Sequence, residues 1–262
     1  MENPHVLYHT DGHTAVITLN RPEVRNAFSV EMIELWRRFL EEARIDPGIR
    51  VIIVTGHGDT FCSGGDIRDM AEGKLMSWGM KRFLWEGVHR IALTLEDLDK
   101  PVIAAINGAA MGAGLDMALM CDLRVCSERA KLAESYITMG LVPGDGGAFF
   151  LPRLVGVSKA LELLLTGEVV SAKEALEMGL VNRVVAHERL LEEVMVLADK
   201  IASKPPLAVA LTKRAVVQGQ ASSLRAHLDY ISSQVALLSE TEDHREAARA
   251  FLEKRKPVFT GK

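Results

Sequence analysis

The stretch PVIAAINGAAMGAGLDMALMCD, running from Pro101 to Asp122, carries the reading of the fold. Val102 to Ile106 is too short for a helix and apolar at every position, the pattern of a strand buried on both faces. Asn107, Gly108, Gly112 and Gly114 then make a loop of small residues, and Leu115 to Met120 continues in helical text. Strand, glycine loop and helix in so short a span form one unit of an α/β fold. Val51 to Val54 is a second buried run, closed by the turn Gly56 to Asp59, and Leu123 to Cys126 is a third. Their recurrence between helical segments predicts largely parallel strands.

Working outward, His13 to Leu19 is a β-branched run that Arg21-Pro22 ends. Val30 to Ala43 sets Ile33, Trp36, Phe39, Leu40 and Ala43 at helical spacing, with Ser29 as N-cap and Asp46-Pro47-Gly48 as the stop. A further helix is expected from about Ser77 to Leu95. Beyond Val185 only helical periodicity remains, near 188–203, 206–217, 222–239 and 242–255. Such a tail cannot bury its apolar faces alone and must pack on the main domain, on another subunit, or on both. The expected division is a catalytic domain over 1–200 and a helical region over 201–262.

The 262 residues are 48% apolar and 25% charged, ordinary globular usage. Thirty-one basic against 35 acidic residues give a net charge of −4 without a long run of one sign, which argues against nucleic-acid binding and against an anionic membrane surface. The longest uncharged stretch, Pro101 to Leu115, is short of the roughly 20 apolar residues of a membrane span. Met1 to His5 lacks signal character. Cys62, Cys121 and Cys126 fit neither a disulfide framework nor a metal site. A soluble cytoplasmic protein of enzyme size is expected, with no metal.

The glycine loops do not match the common nucleotide motifs. There is no GxxxxGK[ST], and Gly108 to Gly114 reads GxxxGxG where a dinucleotide site needs GxGxxG. GxSxG and HExxH are also absent. Phe61-Cys-Ser-Gly-Gly-Asp-Ile67 and Asn107 to Asp116 instead share one physical logic. Small residues let backbone N–H groups approach a ligand, and two such groups from neighbouring loops can grip a developing oxyanion. Taken singly, each loop reads first as a tight strand-to-helix turn.

Together the segments resemble the crotonase (enoyl-CoA hydratase/isomerase) superfamily. Asn20-Arg-Pro-Glu-Val-Arg-Asn-Ala27 matches its NRPxxxNA, and Phe61 to Ile67 its F-[CS]-x-G-x-D-[IL] loop. Pro101 to Asp122, the GLxPxxGG of Gly140 to Gly147, and the ending Phe251 to Phe259 match in order along nearly the whole chain. The resemblance implies a crotonase-like α/β spiral of repeated ββα units with a C-terminal α-helical trimerisation region, and a homo-trimer or a hexamer built as a dimer of trimers. It implies an acyl-CoA substrate whose thioester oxygen is held by the N–H groups of Gly65 and Ala113. Coenzyme A is then part of the substrate, and no separate cofactor is called for.

The acids that would choose the reaction depart from the family's usual pattern. A typical hydratase of the family has glutamates at the positions of Asp116 and Tyr136, which hold one water between them. Glu134, two residues before Tyr136, would share its face in an extended segment. Asp145 stands one place beyond the acid of the family's double-bond isomerases, which aligns with Gly144; it is equally well placed as an N-cap or first-turn acid of a helix over Gly146 to Leu154. His89 matches an active-site histidine of the related 4-chlorobenzoyl-CoA dehalogenases, but their nucleophilic aspartate falls on Gly144. His89 is alternatively a packing residue, and Phe83 and Trp85 either border an acyl pocket or belong to the core.

For the coenzyme A moiety the resemblance points to Arg25, to the backbone around Cys62, Ser63, Asp66 and Ile67, and to Lys256 and Phe259 of the tail, which would cover a nucleotide in the same or a neighbouring subunit. The charged members are equally read as solvated surface residues. The first reading is an enzyme that stabilises an enolate and hydrates or isomerises an enoyl-CoA, with Asp116 leading and Asp145 or Glu134 assisting. Alternatives are thioester hydrolysis or decarboxylation on a cyclic or functionalised acyl-CoA, and a weakly catalytic member that binds CoA esters, RNA or a protein.

Overall fold

The computed structural model describes residues 3–66, 68 and 78–262. Its frame is a six-stranded sheet in the order β1-β2-β3-β5-β7-β10, from Val6–Asp11, Thr14–Leu19, Val51–Gly56, Val102–Ile106, Leu123–Ser127 and Arg183–Val185. β1 pairs antiparallel with β2, and every other neighbour is parallel. A second sheet runs β4-β6-β8-β9, from Thr60–Cys62, Ala109–Met111, Lys131–Ala133 and Val170–Ser171. Thus β3 and β4, β5 and β6, β7 and β8 each place one strand in either sheet. A helix follows β6 and another follows the loop after β8, which is the expected ββα repeat.

The uniformly apolar strands are explained by having both faces covered. Ile17, Ile52, Val54, Ala104, Ile106 and Cys126 face the main core, while Val16, Ile53, Ile103, Ala105 and Val125 face the helix Leu190–Ala202 through Leu190, Val194, Ala198 and Ala202. Helix α1, Val30–Ile45, buries Met32, Ile33, Trp36, Leu40 and Ala43, and the Ser29 hydroxyl accepts from Met32 N–H at its start. Two close approaches bind the repeats together. A Cβ on Gly108 would stand 1.9 Å from Asp59 O, and one on Gly114 2.1 Å from Cys62 O.

The remaining helices are α2, Trp78–Arg82; α3, His89–Glu96, joined to α2 by the π-helical turn Phe83–Val88; α4, Ala113–Leu119; α5, Gly147–Val155; α6, Val157–Thr166; and α7, Ala172–Glu177. After α8, Leu190–Ala202, follow α9, Pro206–Gly219, α10, Leu224–Ser239, and α11, Glu242–Glu253. Among the described residues no helix is long and apolar enough to cross a membrane.

Candidate active site

Two loops meet beyond the C-terminal ends of the small-sheet strands. β4 runs into Ser63-Gly64-Gly65, and β6 into Gly112 and then α4. Gly64 has φ +82°, and a Cβ on it would lie 2.9 Å from Met111 O and 3.2 Å from Ala113 N, so glycine is what lets the loops touch. Neither the Gly65 nor the Ala113 N–H donates to any acceptor among the described residues. Two unpaired donors on adjoining loops fit a developing oxyanion.

Asn20 to Ala27 builds the wall behind this pair. Asn26, buried at φ 54°, donates through Nδ2 to His57 O (3.1 Å), Thr60 O (2.7 Å) and Phe61 O (3.2 Å), and its Oδ1 accepts from Arg21 N–H at 2.8 Å. Arg21 Nη1 donates to Ala27 O at 2.7 Å, Ser63 N–H to Arg25 O at 3.0 Å, and Phe28 N–H to Gly64 O at 2.8 Å. The motif is therefore a clamp on the glycine loop, with the Arg25 side chain exposed beside it. Cys62 is buried, its thiol pushed up to about 12 by burial and donated to Asn26 O at 3.1 Å, so it contributes backbone rather than chemistry. Asp66 is paired with Arg68 Nη2 at 2.8 Å, which holds its carboxyl down to about 2. Ile67 lies outside the described residues.

Next to the Ala113 amide, four side chains from different segments converge. Asp116 comes from α4, Glu134 follows β8, Tyr136 sits in the 3₁₀ turn Ser135–Met139, and Asp145 lies in the loop before α5. The Tyr136 hydroxyl is 2.7 Å from Asp116 Oδ2 and 3.0 Å from Asp145 Oδ2, and Asp145 N–H donates to Asp116 Oδ2 at 3.2 Å. Glu134 reaches Asp116 from the other side. A Cβ on Gly147 would meet Asp116 Oδ1 at 2.4 Å and both Glu134 oxygens at 2.9 Å, so the two carboxyl groups crowd a single point.

Asp116, Glu134 and Asp145 are 0%, 1% and 5% exposed. Burial pushes Asp116 up to about 6, against the lowering effect of the Tyr136 hydroxyl. Burial, with Asp116 alongside, pushes Glu134 up to about 10. Asp145 is also raised, by burial, and the Tyr136 phenol is raised by burial and by the two aspartates, so it stays protonated. A set of buried acids with separated proton affinities can hold a proton and hand it on near neutral pH.

The structure brings the three expected acids together, with Tyr136, expected at the substrate, as their link. Asp145 is not an N-cap: α5 begins at Gly147, its cap is Gly146 at φ 117°, and no side chain caps it. His89 Nε2 bonds Gly144 O at 2.8 Å and stands 3.8 Å from Asp145 Oδ1, with Trp85 edge-on at 6.0 Å between ring centroids. His89 is thus a neighbour of the acid cluster. Trp85 is exposed, whereas Phe83 packs on the core. Lys256 and Phe259 are not gathered here. In this chain Phe259 O accepts from Arg50 Nη2 at 2.9 Å, which docks the tail at the N-terminal end of β3, away from the glycine loops. Gly147, whose missing side chain makes room for the carboxyl pair, carried no distinguishing mark in the sequence beyond its place in Gly146-Gly147.

Comparison with known proteins agrees with this geometry. The family described as "Enoyl-CoA hydratase/isomerase" matches residues 9–262. The crotonyl-CoA hydratase of Syntrophomonas wolfei is 36% identical over 263 residues, covering 100% of each chain. The 1,2-epoxyphenylacetyl-CoA isomerase of Escherichia coli is 36% identical over 262 residues, covering 98% of each. A crystal structure of an enoyl-CoA hydratase from Bacillus anthracis superimposes with a TM-score of 0.94 at 36% identity, covering 98% of this chain and 100% of that one. With the glycine-loop donors, the ββα repeat and the full-length matches in agreement, the chain belongs to the enoyl-CoA hydratase/isomerase family.

Proposed function

We propose that this enzyme hydrates or isomerises an enoyl-CoA by stabilising the thioester enolate at the Gly65 and Ala113 N–H groups and moving protons through Asp116, Tyr136 and Asp145. The observation that carries the reading is the pair of unpaired amides beside that acid network. Each amide would bond the thioester oxygen more strongly as it gains charge, and one such donor is worth about 10²–10³ in rate. A carboxylate of the network takes a proton from the carbon chain or from a water, and its neighbour returns one. The chemistry uses the coenzyme A of the substrate and no separate cofactor.

Isomerisation has one observation in its favour. Tyr136 is a neutral phenol shared by Asp116 and Asp145, so the network has a single hydroxyl bridge where two separate carboxylates would hold a water. Proton removal and return by one coupled group suits a shifting double bond. The test is mass-resolved turnover of 2-enoyl-CoA and 3-enoyl-CoA in H₂¹⁸O. Gain of labelled water means hydration, and positional exchange without gain means isomerisation. Retained CoA-ester affinity with no turnover of either would leave only the binding reading. Release of free CoA or CO₂ would point to hydrolysis or decarboxylation.

Two further readings concern the setting of the enzyme. Cytoplasmic residence suits three free, buried cysteines. Assembly as a trimer or a dimer of trimers is supported by apolar residues left exposed on the last helices, such as Leu224 at 73% and Phe251 at 84%. Lys256 and Phe259 would then serve a neighbouring subunit's coenzyme A.

A further inference from the structure

We propose that Glu134 is a positioning residue, which keeps its own proton and donates it to Asp116 Oδ1, so that Asp116 is held as the anion of the pair. The inference rests on Asp116 belonging to the acid/base network proposed above.

The geometry sets the direction of the donation. The Glu134 and Asp116 carboxyls lie within a methyl group's reach of the same point over Gly147, at 2.9 Å and 2.4 Å. Two ionised carboxylates cannot occupy such a place without a cation between them. Among the described residues none is there: the charged groups acting on Glu134 are Asp116 from α4 and Asp145 from the loop before α5. Tyr136 beside them is a neutral phenol, and His89 faces Asp145. One proton must therefore be shared.

Donors are distributed unequally between the two acids. Asp116 receives the Tyr136 hydroxyl and the Asp145 N–H, both on Oδ2. Neither Glu134 oxygen has a donor of its own. An anion is more stable where the donors are, so the negative charge settles on Asp116 and the proton on Glu134. The strong upward push on Glu134 agrees with this assignment. Because Glu134 stands behind Asp116 and only 1% exposed, its contribution passes through Asp116. Its donation would hold the Asp116 carboxylate in one orientation and offset part of its cost of burial.

The experiment is infrared difference spectroscopy of carboxyl groups on the full chain, paired with pH–rate profiles, for wild type, Glu134→Gln, Glu134→Ala, Asp116→Asn and Asp145→Asn. The wild type should show, at pH 7, a buried protonated-carboxyl band that Glu134→Gln removes and Asp145→Asn leaves in place, distinct from any band that Asp145→Asn removes. Glu134→Gln, an amide that can still donate to Asp116, should stay within a few-fold of wild-type kcat with its acid limb in place. Glu134→Ala removes the donor and should lose about tenfold or more, with the acid limb moved to higher pH. A carboxylic-acid band that survives Glu134→Gln and vanishes in Asp116→Asn would overturn the assignment. Unchanged pH profiles in both Glu134 variants would overturn the positioning role. If the wild type turned over no enoyl-CoA, the functional reading would fail on its own, while the band would still decide which residue holds the proton.

Discussion

Tyr136 places its hydroxyl 2.7 Å from Asp116 Oδ2, joining a residue of the 3₁₀ turn after β8 to one in the first turns of α4. The same oxygen lies 3.0 Å from Asp145 Oδ2, yet a phenol has one proton to donate. When Asp116 takes that proton, the second contact is a hydrogen bond only if Asp145 is protonated and donates to the phenol oxygen. The upward push of burial on Asp145 favours that state. The three groups therefore form one proton-sharing unit rather than three independent acids.

Tyr136→Phe should expose this coupling. The change removes the donor that lowers Asp116, so that carboxyl moves further up. If the active base is the ionised form, the acid limb of kcat against pH shifts to higher pH and kcat at pH 7 falls about 10²-fold. The orphaned oxygens should also cost roughly 1–3 kcal/mol in stability. An unshifted limb with full kcat would show that Tyr136 only fills space.

How much of this was legible beforehand varies with the physics of each element. The long strands were readable because burial on both faces makes every residue apolar, as in Val51 to Val54. The three-residue strands Thr60–Cys62, Ala109–Met111 and Lys131–Ala133 are too short to show a period, and what defines them is pairing across repeats. β1 was missed because an edge strand with mostly exposed residues lacks the alternation of a half-buried one. Asp116, Asp145 and Glu134 were found by motif position. Their meeting point was not, because it depends on a 3₁₀ turn that carries Tyr136 inward and on the bare Cα of Gly147. The clamp by Asn26 was likewise hidden, since its three carbonyl partners lie more than thirty residues away.

The oxyanion donor on α4 can be tested without changing any side-chain acid. Ala113 is the first residue of the helix, and its N–H has no acceptor among the described residues. Ala113→Pro should lower kcat about 10²–10³-fold, with some loss of thermal stability because the ring enters the tight approach of Gly64 to Ala113 N. Ala113→Gly, which keeps the N–H, should retain turnover. Equal activity in the two variants would remove Ala113 from the mechanism.

The acid cluster also predicts a direction for stability against pH. Glu134 rises from an unfolded value of about 4.3 to about 10, and Asp116 from about 3.9 to about 6. Between those limits the folded chain binds more protons than the unfolded one, so stability falls as pH rises. Asp66, held down to about 2, acts in the opposite sense but only below the usual carboxylate range. Tm should therefore decline from pH 5 to pH 9, and Glu134→Gln should flatten most of that slope. A wild-type Tm that rises across the window would contradict the assignment of buried protonated acids.

Gly147→Ala is the sharpest steric test of the site. Its Cβ would stand 2.4 Å from Asp116 Oδ1 and 2.9 Å from both Glu134 oxygens, closer than real Cβ contacts come. Both carboxyls are buried and Asp116 Oδ2 is already held by Tyr136 and the Asp145 N–H, so neither can swing away freely. Overpacking of this kind costs about 1–3 kcal/mol, or a Tm lower by several degrees, and should displace Asp116 enough to lower kcat. Gly144→Ala provides the contrast on the same loop. A Cβ there meets nothing nearer than Leu84 Cδ1 at 3.8 Å, so stability should change by less than about 0.5 kcal/mol. Loss of turnover in Gly147→Ala with Gly144→Ala intact ties activity to the space between Asp116 and Glu134. Equal tolerance of both would mean that the carboxyl pair is free to move apart, and that their contact over Gly147 does not set the chemistry.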